Sequence, residues 1–255
     1  MSHLKAIIFD VDGTLAETER DGHRLAFNQT FAEAGLDWDW SIELYGELLT
    51  VSGGKERIDY YIKRYHPNGQ PPNNLDEWIA KLHQAKTRHY RELLAKGDIP
   101  LRPGVKRLIT EALGEGVRLA IATTSAFPNA IALLEETLNP HWFEVIAAGD
   151  IVPHKKPAPD IYNYVLEKLG LTASDCLAIE DSRQGLLAAR GVGLTTIITV
   201  NNYTKNEYFE GAALVINHLG EPDLSCEAIA STALNSGYVT LDLLRYIHQI
   251  STGVI

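Results

Sequence analysis

The sequence predicts an α/β fold in which a parallel sheet carries an inserted helical domain. The apolar run Ala6-Ile7-Ile8-Phe9 is typical of a strand buried on both faces. Residues 36–97 contain no convincing strand, whereas short apolar strands alternate with helices from Ile99 onward. Such alternation predicts βαβ units with right-handed crossovers and a parallel sheet. We therefore predict a Rossmann-like core with a helical cap domain inserted after the first strand.

The inserted region has the pattern of consecutive helices. Apolar residues recur at helical spacing from Glu17 to Ala34 and stop at Gly35, a glycine typical of a helix C-cap. A chain breaker at residues 66–72 separates the last two of three further helices, which are Ile42–Leu49, Glu56–Tyr65 and Leu75–Leu94. The expected domain boundaries are 17–98 for the cap and 1–16 with 99–255 for the core.

The core segments alternate between helix and strand. Helices are expected at Val105–Leu113, Asn129–Leu138, Pro159–Leu169 and Ser182–Arg190. Strands are expected at Arg118–Ala122, Val145–Ala148, Cys176–Ile179 and Thr195–Val200, with Ala213–Ile216 as an edge strand. The tail from Ser225 to Ile250 is predicted to be helical at both ends.

Composition narrows the possible partners and the compartment. The chain has 255 residues and a formal net charge of −10, which argues against nucleic acid or an anionic membrane as a partner. Cys176 and Cys226 lack a zinc-like spacing, which suits a reducing compartment. No apolar run approaches the length of a transmembrane helix, and we expect no leader segment. We expect a cytoplasmic monomer that acts on a small molecule.

Polar residues that follow the predicted strands should lie together, because the carboxyl ends of parallel strands meet at one edge of the sheet. Each segment alone has an ordinary interpretation as a turn, a helix N-cap or a solvated loop. Their occurrence in order, each at a strand end or a crevice loop, indicates a catalytic site. The residues are the acids Asp10, Asp12, Glu180 and Asp181, the hydroxyl residues Thr123, Thr124 and Ser125, and the loop lysine Lys156.

These residue types suit phosphoryl transfer assisted by a hard cation. Asp10, Asp181 and a backbone carbonyl near Asp12 would bind Mg²⁺, because this ion prefers oxygen ligands. Thr123 and adjacent N–H groups would hold a phosphoryl group, and Lys156 would neutralise it. Asp10 is then the natural nucleophile and would form an aspartyl phosphate. Asp12 would act as general acid on the leaving alkoxide and then as base for water.

Four segments of the chain resemble, in order, the four motifs of the haloacid dehalogenase superfamily. They are Asp10-Val11-Asp12-Gly13-Thr14, Thr123, Lys156 within Lys-Pro-Ala-Pro-Asp, and Glu180-Asp181-Ser182. The resemblance covers nearly the whole chain, and the helical insertion looks like the small mobile cap of the group containing β-phosphoglucomutase and phosphonatase. It implies that these residues keep the roles given above, with Asp10, Asp12 and Asp181 at the metal and Glu180 supporting that site. The acid at Asp12 favours phosphoryl transfer, because haloalkanoate dehalogenases lack one there.

A second anion site is expected at the start of a cap helix. Gly53 and Gly54 leave the first N–H groups of that helix approachable, and Lys55 and Arg57 add positive charge. Cations at a helix N-terminus oppose the dipole, and a bound anion would offset them; an ordinary glycine-rich helix start is the alternative. A substrate with a second phosphate at its far end would supply the anion.

Other residues are expected to contact the substrate between its two ends. Glu17, His23 and Tyr45 could bind sugar hydroxyls, although His23 could equally be a packed helix residue. Thr124 and Ser125 complete the expected substrate-binding set.

The cap segments Glu17–Arg24 and Gly53–Arg57 resemble the CbbY branch of the superfamily. This resemblance implies a Mg²⁺-dependent sugar bisphosphate phosphatase whose substrate is xylulose 1,5-bisphosphate, a misfire product that inhibits Rubisco. Ala126 stands where related mutases have a basic residue, which weakens the β-phosphoglucomutase-like alternative. Lys55 stands where phosphonatases have a Schiff-base lysine, so that activity stays open. A catalytically idle regulator that binds a metabolite is a further alternative.

Overall fold

The computed structural model describes residues 4–66, 74–97, 99–230 and 237–253. The strands join in one sheet of order β3-β2-β1-β4-β5-β6-β7. All neighbouring pairs run parallel except β6 with β7, which are antiparallel. The predicted fold class is confirmed. The strands are β1 (Ala6–Phe9), β2 (Arg118–Thr123), β3 (Val145–Ala148), β4 (Cys176–Glu180), β5 (Thr195–Thr199), β6 (Leu214–Ile216) and β7 (Ala228–Ala230).

Helices occupy most of the chain between the strands. The helices before β2 are α1 (Arg24–Glu33), α2 (Ile42–Leu48), α3 (Gly54–Tyr65), α4 (Leu75–Ala95) and α5 (Val105–Gly114), with a π-helical turn at Glu19–His23 preceding α1. The later ones are α6 (Phe127–Thr137), α7 (Asp160–Leu169), α8 (Arg183–Gly191) and α9 (Leu241–Ser251). Short 3₁₀ turns lie at Pro140–Trp142, Gly149–Ile151 and Ala173–Asp175. No helix in the described ranges combines the length and hydropathy that a transmembrane span requires.

The register of the central strands explains why the acidic loops meet. Phe9 in β1 lies opposite Ile121 in β2 and Ile179 in β4. Asp10 therefore leaves β1 at the level where Ala122 and Glu180 continue the neighbouring strands. The functional loops all start from the same edge of the sheet.

The two faces of β1 are buried under different helices. Ile7 and Phe9 pack in a cluster with α5 and α9, whereas Ala6 and Ile8 pack in a cluster with α7 and α8. Burying a large apolar side chain contributes about 1.5–3 kcal/mol, so coverage of both faces favours the continuous apolar run. This burial anchors the strand from which Asp10 projects.

Helices α1 to α4 surround an aromatic cluster of their own. The rings of Trp40 and Tyr61 lie 5.2 Å apart between centroids. Tyr203, from the loop after β5, reaches this cluster and packs against Tyr45 at 6.0 Å. The distal part of α4, including Tyr90, instead joins the cluster around β1. The proposed boundaries between cap and core stay a prediction.

Two predicted elements differ from the structure. The helix expected at the start of the tail is wrong, because β7 lies there and pairs antiparallel with β6. The open edge of β6 offers unpaired backbone groups, and pairing with them outweighs the helical pattern. The first inserted helical segment begins at Glu19 rather than Glu17, since Ala16 pairs with Leu101 and keeps the chain extended.

The remaining segments follow the expected order, with ends shifted by a few residues. The second predicted helix of the tail corresponds to α9. The chain breaker at residues 66–72 lies outside the described residues except for His66, the C-cap of α3. Residues 231–236 of the tail also lie outside the described ranges.

Candidate active site

Asp10 and Lys156 form an ion pair at the carboxyl end of β1. Lys156 Nζ lies 2.6 Å from Asp10 Oδ1, and it also donates to Ala122 O at 2.8 Å and to Glu180 Oε1 at 2.5 Å. These acceptors match the three donors of an ammonium group. Burial alone would lower the pKa of Lys156, but Asp10 and Glu180 outweigh burial and raise it. The lysine therefore carries a fixed positive charge beside Asp10.

Three carboxylates gather at this point. Oxygens of Asp10, Glu180 and Asp181 lie within 4.8 Å of one another. Burial raises the pKa of Asp10 well above its usual range, and it does the same to Asp181, where repulsion from Asp10 adds to the effect. Glu180 Oε2 is buried and has no hydrogen-bond partner among the described residues.

The acid cluster fits a hard divalent cation. Three carboxylates around the single Lys156 ammonium give the cluster an excess of negative charge. An all-oxygen ligand set is what Mg²⁺ prefers. Both the charge balance and the unpartnered Glu180 oxygen agree with such an ion at this site.

Gly13 allows Asp181 to approach the loop after β1. Its φ is +81°, a left-handed conformation that favours glycine. A Cβ at this position would meet the Asp181 carboxylate and the amide of Asn201. Asn201 Nδ2 donates to Asp181 Oδ2 at 2.6 Å, so the amide fixes the orientation of that acid. The Asp-Gly turn is therefore required by the site.

Asp12 lies apart from the three clustered acids. Its Oδ1 accepts hydrogen bonds from Thr18 Oγ1 at 2.5 Å and from His23 Nε2 at 2.8 Å. Burial alone would raise the pKa of Asp12, but His23 and Thr18 hold it well below its usual range. The side chain is thus a carboxylate that can accept a proton, while its backbone carbonyl stays the candidate metal ligand.

Lys86 of α4 determines the tautomer of His23. Lys86 Nζ lies 2.7 Å from His23 Nδ1, and an ammonium can only donate. Nδ1 therefore accepts, and the imidazole proton sits on Nε2, where it is donated to Asp12. Burial lowers the pKa of Lys86 to about 8.

A central pocket of about 110 Å³ opens in front of these groups. An inner cavity of about 40 Å³ adjoins it, and the two share Asp12, Glu19, Arg57 and Thr124. We define the central pocket by Asp10, Thr123, Lys156, Asp181 and Tyr203. We define the inner cavity by Gly53, Gly54, His83, Lys86, Ser125 and Asn129.

The loop after β2 supplies hydroxyl and amide groups to both cavities. Thr123 Oγ1 accepts from Ser125 N at 3.0 Å, which closes the turn. Thr123 faces the central pocket and Ser125 the inner cavity, with Thr124 between them. The three predicted hydroxyl residues are therefore brought together.

The insertion brings Tyr45 and Arg57 to the same place. Arg57 Nη1 donates to Tyr45 Oη at 2.8 Å, and that hydroxyl donates to Glu19 Oε2 at 2.5 Å. Arg57 is 6% exposed and is held by the carbonyl oxygens of Leu48 and Val51. The carboxylate of Glu19 and the guanidinium of Arg57 thus line both cavities, and the fully buried Tyr45 hydroxyl connects them.

Three predicted substrate ligands line neither cavity. Tyr45 is fully buried and bonded to Glu19 and Arg57. Lys55 Nζ is paired with Asp150 Oδ2 at 2.5 Å on the surface. Glu17 Oε1 lies 3.0 Å from Arg102 Nε and is turned away from both cavities. Glu19, which was not predicted, takes the place in the central pocket that was expected for Glu17.

Other residues of the site were also missed from the sequence. Lys86 is one of two lysines on the amphipathic helix α4, and Asn201 follows a strand without belonging to a motif. Glu19 and His23 enter the site from one π-helical turn, a geometry found frequently at functional sites. Gly22 was a possible signal, since a Cβ there would lie 2.8 Å from the Tyr90 ring.

A sequence model of the haloacid dehalogenase-like hydrolases matches residues 4–193. The chain belongs to this family. It is 50% identical over 222 residues to the plasmid-encoded protein CbbY of Cupriavidus necator, a match that covers 86% of this chain and 87% of the relative. The predicted resemblance to the superfamily and to its CbbY branch is confirmed, as is the hydrolase class.

Solved structures agree with this assignment. CbbY from Rhodobacter sphaeroides in complex with phosphate has a TM-score of 0.79 at 47% identity, covering 84% of this chain and 94% of that one. A mutant of the same protein in complex with xylulose 1,5-bisphosphate has a TM-score of 0.80 at 46% identity, covering 86% and 96%. The similarity therefore includes the insertion as well as the sheet.

Proposed function

We propose that this hydrolase is a Mg²⁺-dependent phosphatase that removes one phosphate from a sugar bisphosphate, with xylulose 1,5-bisphosphate as the leading candidate. The observation that carries the proposal is the pairing of Asp10 with Lys156 inside a buried acid cluster. A carboxylate can attack a phosphate dianion only where cations cancel the repulsion. The site supplies one such cation and the ligands for another.

Asp10 is the nucleophile in this proposal. Its carboxylate oxygen forms a bond to phosphorus while the bond from phosphorus to the sugar oxygen breaks, which gives an aspartyl phosphate. Asp12 is a carboxylate in the free site, so it first takes up a proton from solvent and then gives that proton to the leaving alkoxide. Asp12 then takes a proton from the water that attacks the intermediate, and inorganic phosphate leaves. The hydrogen bonds from Thr18 and His23 keep Asp12 in one orientation for both steps.

Mg²⁺ would be held by the carboxylates of Asp10 and Asp181 and by the backbone carbonyl of Asp12, with Glu180 supporting the site. When bound, the ion neutralises phosphoryl oxygens and so reduces the repulsion of the nucleophile. Lys156 and the hydroxyl of Thr123 contribute to binding the same phosphoryl group from the protein side.

The inner cavity supports a second phosphate on the substrate. Arg57 and Lys86 bring positive charge to it, and the N-terminus of α3 begins there at Gly53 and Gly54. Burial and the neighbouring lysines lower the pKa of His83 to about 3, so its imidazole is neutral and offers a hydrogen bond. Glu19, which is held by the Tyr45 hydroxyl, would bind sugar hydroxyls between the two phosphates. The complex of the Rhodobacter sphaeroides relative with xylulose 1,5-bisphosphate supports this choice of sugar.

The position of Lys55 argues against a phosphonatase. A Schiff base needs a neutral amine, whereas Asp150 raises the pKa of Lys55 and holds its ammonium outside both cavities. The structure favours phosphate ester hydrolysis over that alternative.

A panel of phosphate esters tests the proposal. We expect phosphate release from xylulose 1,5-bisphosphate at least about tenfold faster, as kcat/KM, than from pentulose monophosphates, because the second phosphate adds binding energy. EDTA should abolish release and added Mg²⁺ should restore it. Turnover that survives EDTA contradicts the metal requirement.

The same panel separates the alternative functions. Conversion of β-glucose 1-phosphate to the 6-phosphate without phosphate release would indicate a mutase. If no ester in the panel is hydrolysed, the protein is a metabolite-binding regulator.

Arg57 and Lys55 give a matched test of the second phosphate site. Arg57→Gln is expected to raise KM for the bisphosphate about tenfold more than KM for a monophosphate, because it removes a charge that faces the inner cavity. Lys55→Ala should change either KM by less than about threefold, since that ammonium is paired with Asp150 on the surface. Steady-state kinetics on both substrates measure the difference. A larger effect from Lys55→Ala would place the distal phosphate at Lys55 instead.

A further inference from the structure

We infer that Arg102 is a positioning residue of the active site and that Glu17 is its counter-ion rather than a substrate ligand. The inference rests on the proposed phosphatase function. Arg102 lies in the connection between α4 and α5, where the chain returns from the insertion to the core. Its side chain is 5% exposed, so its charge has been removed almost completely from water.

The guanidinium of Arg102 is saturated by the ends of the sheet. Nε lies 3.0 Å from Glu17 Oε1. The terminal nitrogens donate to Val200 O at 2.6 Å, to Asn217 O at 2.5 Å and to Thr199 O at 2.8 Å. A fourth carbonyl acceptor is that of Gly13. Lysine has three donors on a compact charge and could not match this planar set.

Two of these carbonyls belong to loops that carry the site. Gly13 follows Asp12, and its Cα approaches the Asp181 carboxylate so closely that no Cβ fits. Val200 precedes Asn201, whose amide donates to Asp181 Oδ2 at 2.6 Å. By bonding both carbonyls, Arg102 keeps the loop after β1 and the loop after β5 in the positions that orient Asp181.

The same side chain connects the two ends of the insertion. The backbone N–H of Arg102 donates to Leu15 O at 2.8 Å, and the adjacent Leu101 pairs with Ala16. Glu17 is the residue before Thr18, which donates to Asp12. The Glu17 side chain is 45% exposed and turned toward Arg102. The ion pair thus links the entry and exit of the insertion to the loop that bears Asp12.

A charge this deeply buried is costly unless its donors are satisfied. An anchor for the fold alone needs only the carbonyls of Thr199 and Asn217, at the ends of β5 and β6. The additional bonds to Gly13, Val200 and Glu17 reach the loops that carry the site, and they assign Arg102 a role in the geometry of the reaction.

Arg102→Lys and Glu17→Gln test this role, with Arg107→Lys as the matched control. Arg107 also donates to a carbonyl, that of Gly220 at 2.8 Å, and pairs with Glu221 at 3.1 Å, but it lies away from both cavities. We expect Arg102→Lys to lower kcat about tenfold to a hundredfold, with KM for the bisphosphate within about twofold of wild type. Arg107→Lys should leave both constants unchanged.

Mg²⁺ affinity gives a readout that does not depend on turnover. Titration calorimetry with Mg²⁺ alone should show binding about tenfold weaker in Arg102→Lys than in Arg107→Lys, because residues that orient metal ligands have effects of this size. Glu17→Gln alters a half-exposed side chain and should fold normally. We expect it to lower kcat about threefold, and the double variant should be no worse than Arg102→Lys alone, since both changes break one contact.

Each alternative has its own signature. A purely structural Arg102 would lower the Tm of Arg102→Lys and leave kcat, KM and Mg²⁺ affinity unchanged, which would overturn the inference. If Glu17 binds substrate, Glu17→Gln should raise KM for the bisphosphate while kcat is preserved, and its effect should add to that of Arg102→Lys. This result would also overturn the inference. A wild-type protein that fails to hydrolyse the bisphosphate contradicts only the proposed function, because the calorimetric comparison still decides the role of Arg102.

Discussion

Asp10→Asn is expected to reduce phosphate release by at least about four orders of magnitude while the protein stays folded. The amide keeps the shape of the carboxylate but cannot attack phosphorus, and losses of this size follow removal of a nucleophile. Lys156 retains Glu180 as an ionic partner at 2.5 Å, so the site should not collapse. The measurement is kcat from continuous phosphate release, together with the Tm of each protein.

Stability gives an independent check on the same variant. Burial raises the pKa of Asp10 in the folded protein, so the ionised form at neutral pH destabilises the fold, and this effect fades as the pH falls through the raised pKa. A neutral isostere removes this effect, and we expect the Tm of Asp10→Asn to equal or exceed that of wild type at pH 7. Asp175→Asn, which alters a surface acid paired with Lys5, should leave kcat unchanged. Turnover of Asp10→Asn within tenfold of wild type would assign the nucleophile to another residue.

The core of the site was predictable because it depends on strand order and strand ends. Once the apolar runs are assigned to a parallel sheet, Asp10, Thr123 and Asp181 must emerge at one edge. The register confirms this, with Phe9 opposite both Ile121 and Ile179. Lys156 was identified by its motif and by its loop, and in the structure its Nζ donates to Asp10 and Glu180.

The parts that could not be predicted depend on local geometry that the hydrophobic pattern does not encode. Whether Glu17 or Glu19 enters the central pocket depends on where the helical segment starts. A π-helical turn there changes the residue spacing from the α-helical one that the sequence pattern predicts. β7 is only three residues long, too short for a period to show. The role of Arg102 was not predicted, because a single arginine between Pro100 and Pro103 does not indicate that its side chain is buried.

Lys86→Met is expected to lower kcat about a hundredfold, within the usual range for general acid–base steps, and to make the protein more stable at pH 7. The Lys86 ammonium fixes the His23 tautomer that donates to Asp12, and methionine has no donor with which to replace it. In wild type, activity should fall above pH 8, because the pKa of Lys86 is about 8 and a neutral amine lets the imidazole proton move to Nδ1. Profiles of kcat against pH should lose this alkaline limb in the variant.

The stability change follows from the direction of the pKa shift of Lys86. Its ordinary pKa is 10.5, and burial lowers it to about 8 in the folded protein, so the unfolded chain binds more protons between these values. Burying the charged form costs about 3 kcal/mol at pH 7, and that cost is relieved as the pH rises from about 8 toward 10. The rings of Phe27 and Tyr90 lie 5.1 and 5.2 Å from the ammonium and would give methionine an apolar environment. Such replacements of buried charges are frequently stabilising.

Lys81→Met on the same helix is the control. Lys81 is 70% exposed, so this variant should change neither activity nor its pH profile. If the fall in kcat above pH 8 persists in Lys86→Met, another group titrates near pH 8. If the fall disappears and the Tm rises, the protein retains an unfavourable buried charge because that charge supports proton transfer at Asp12.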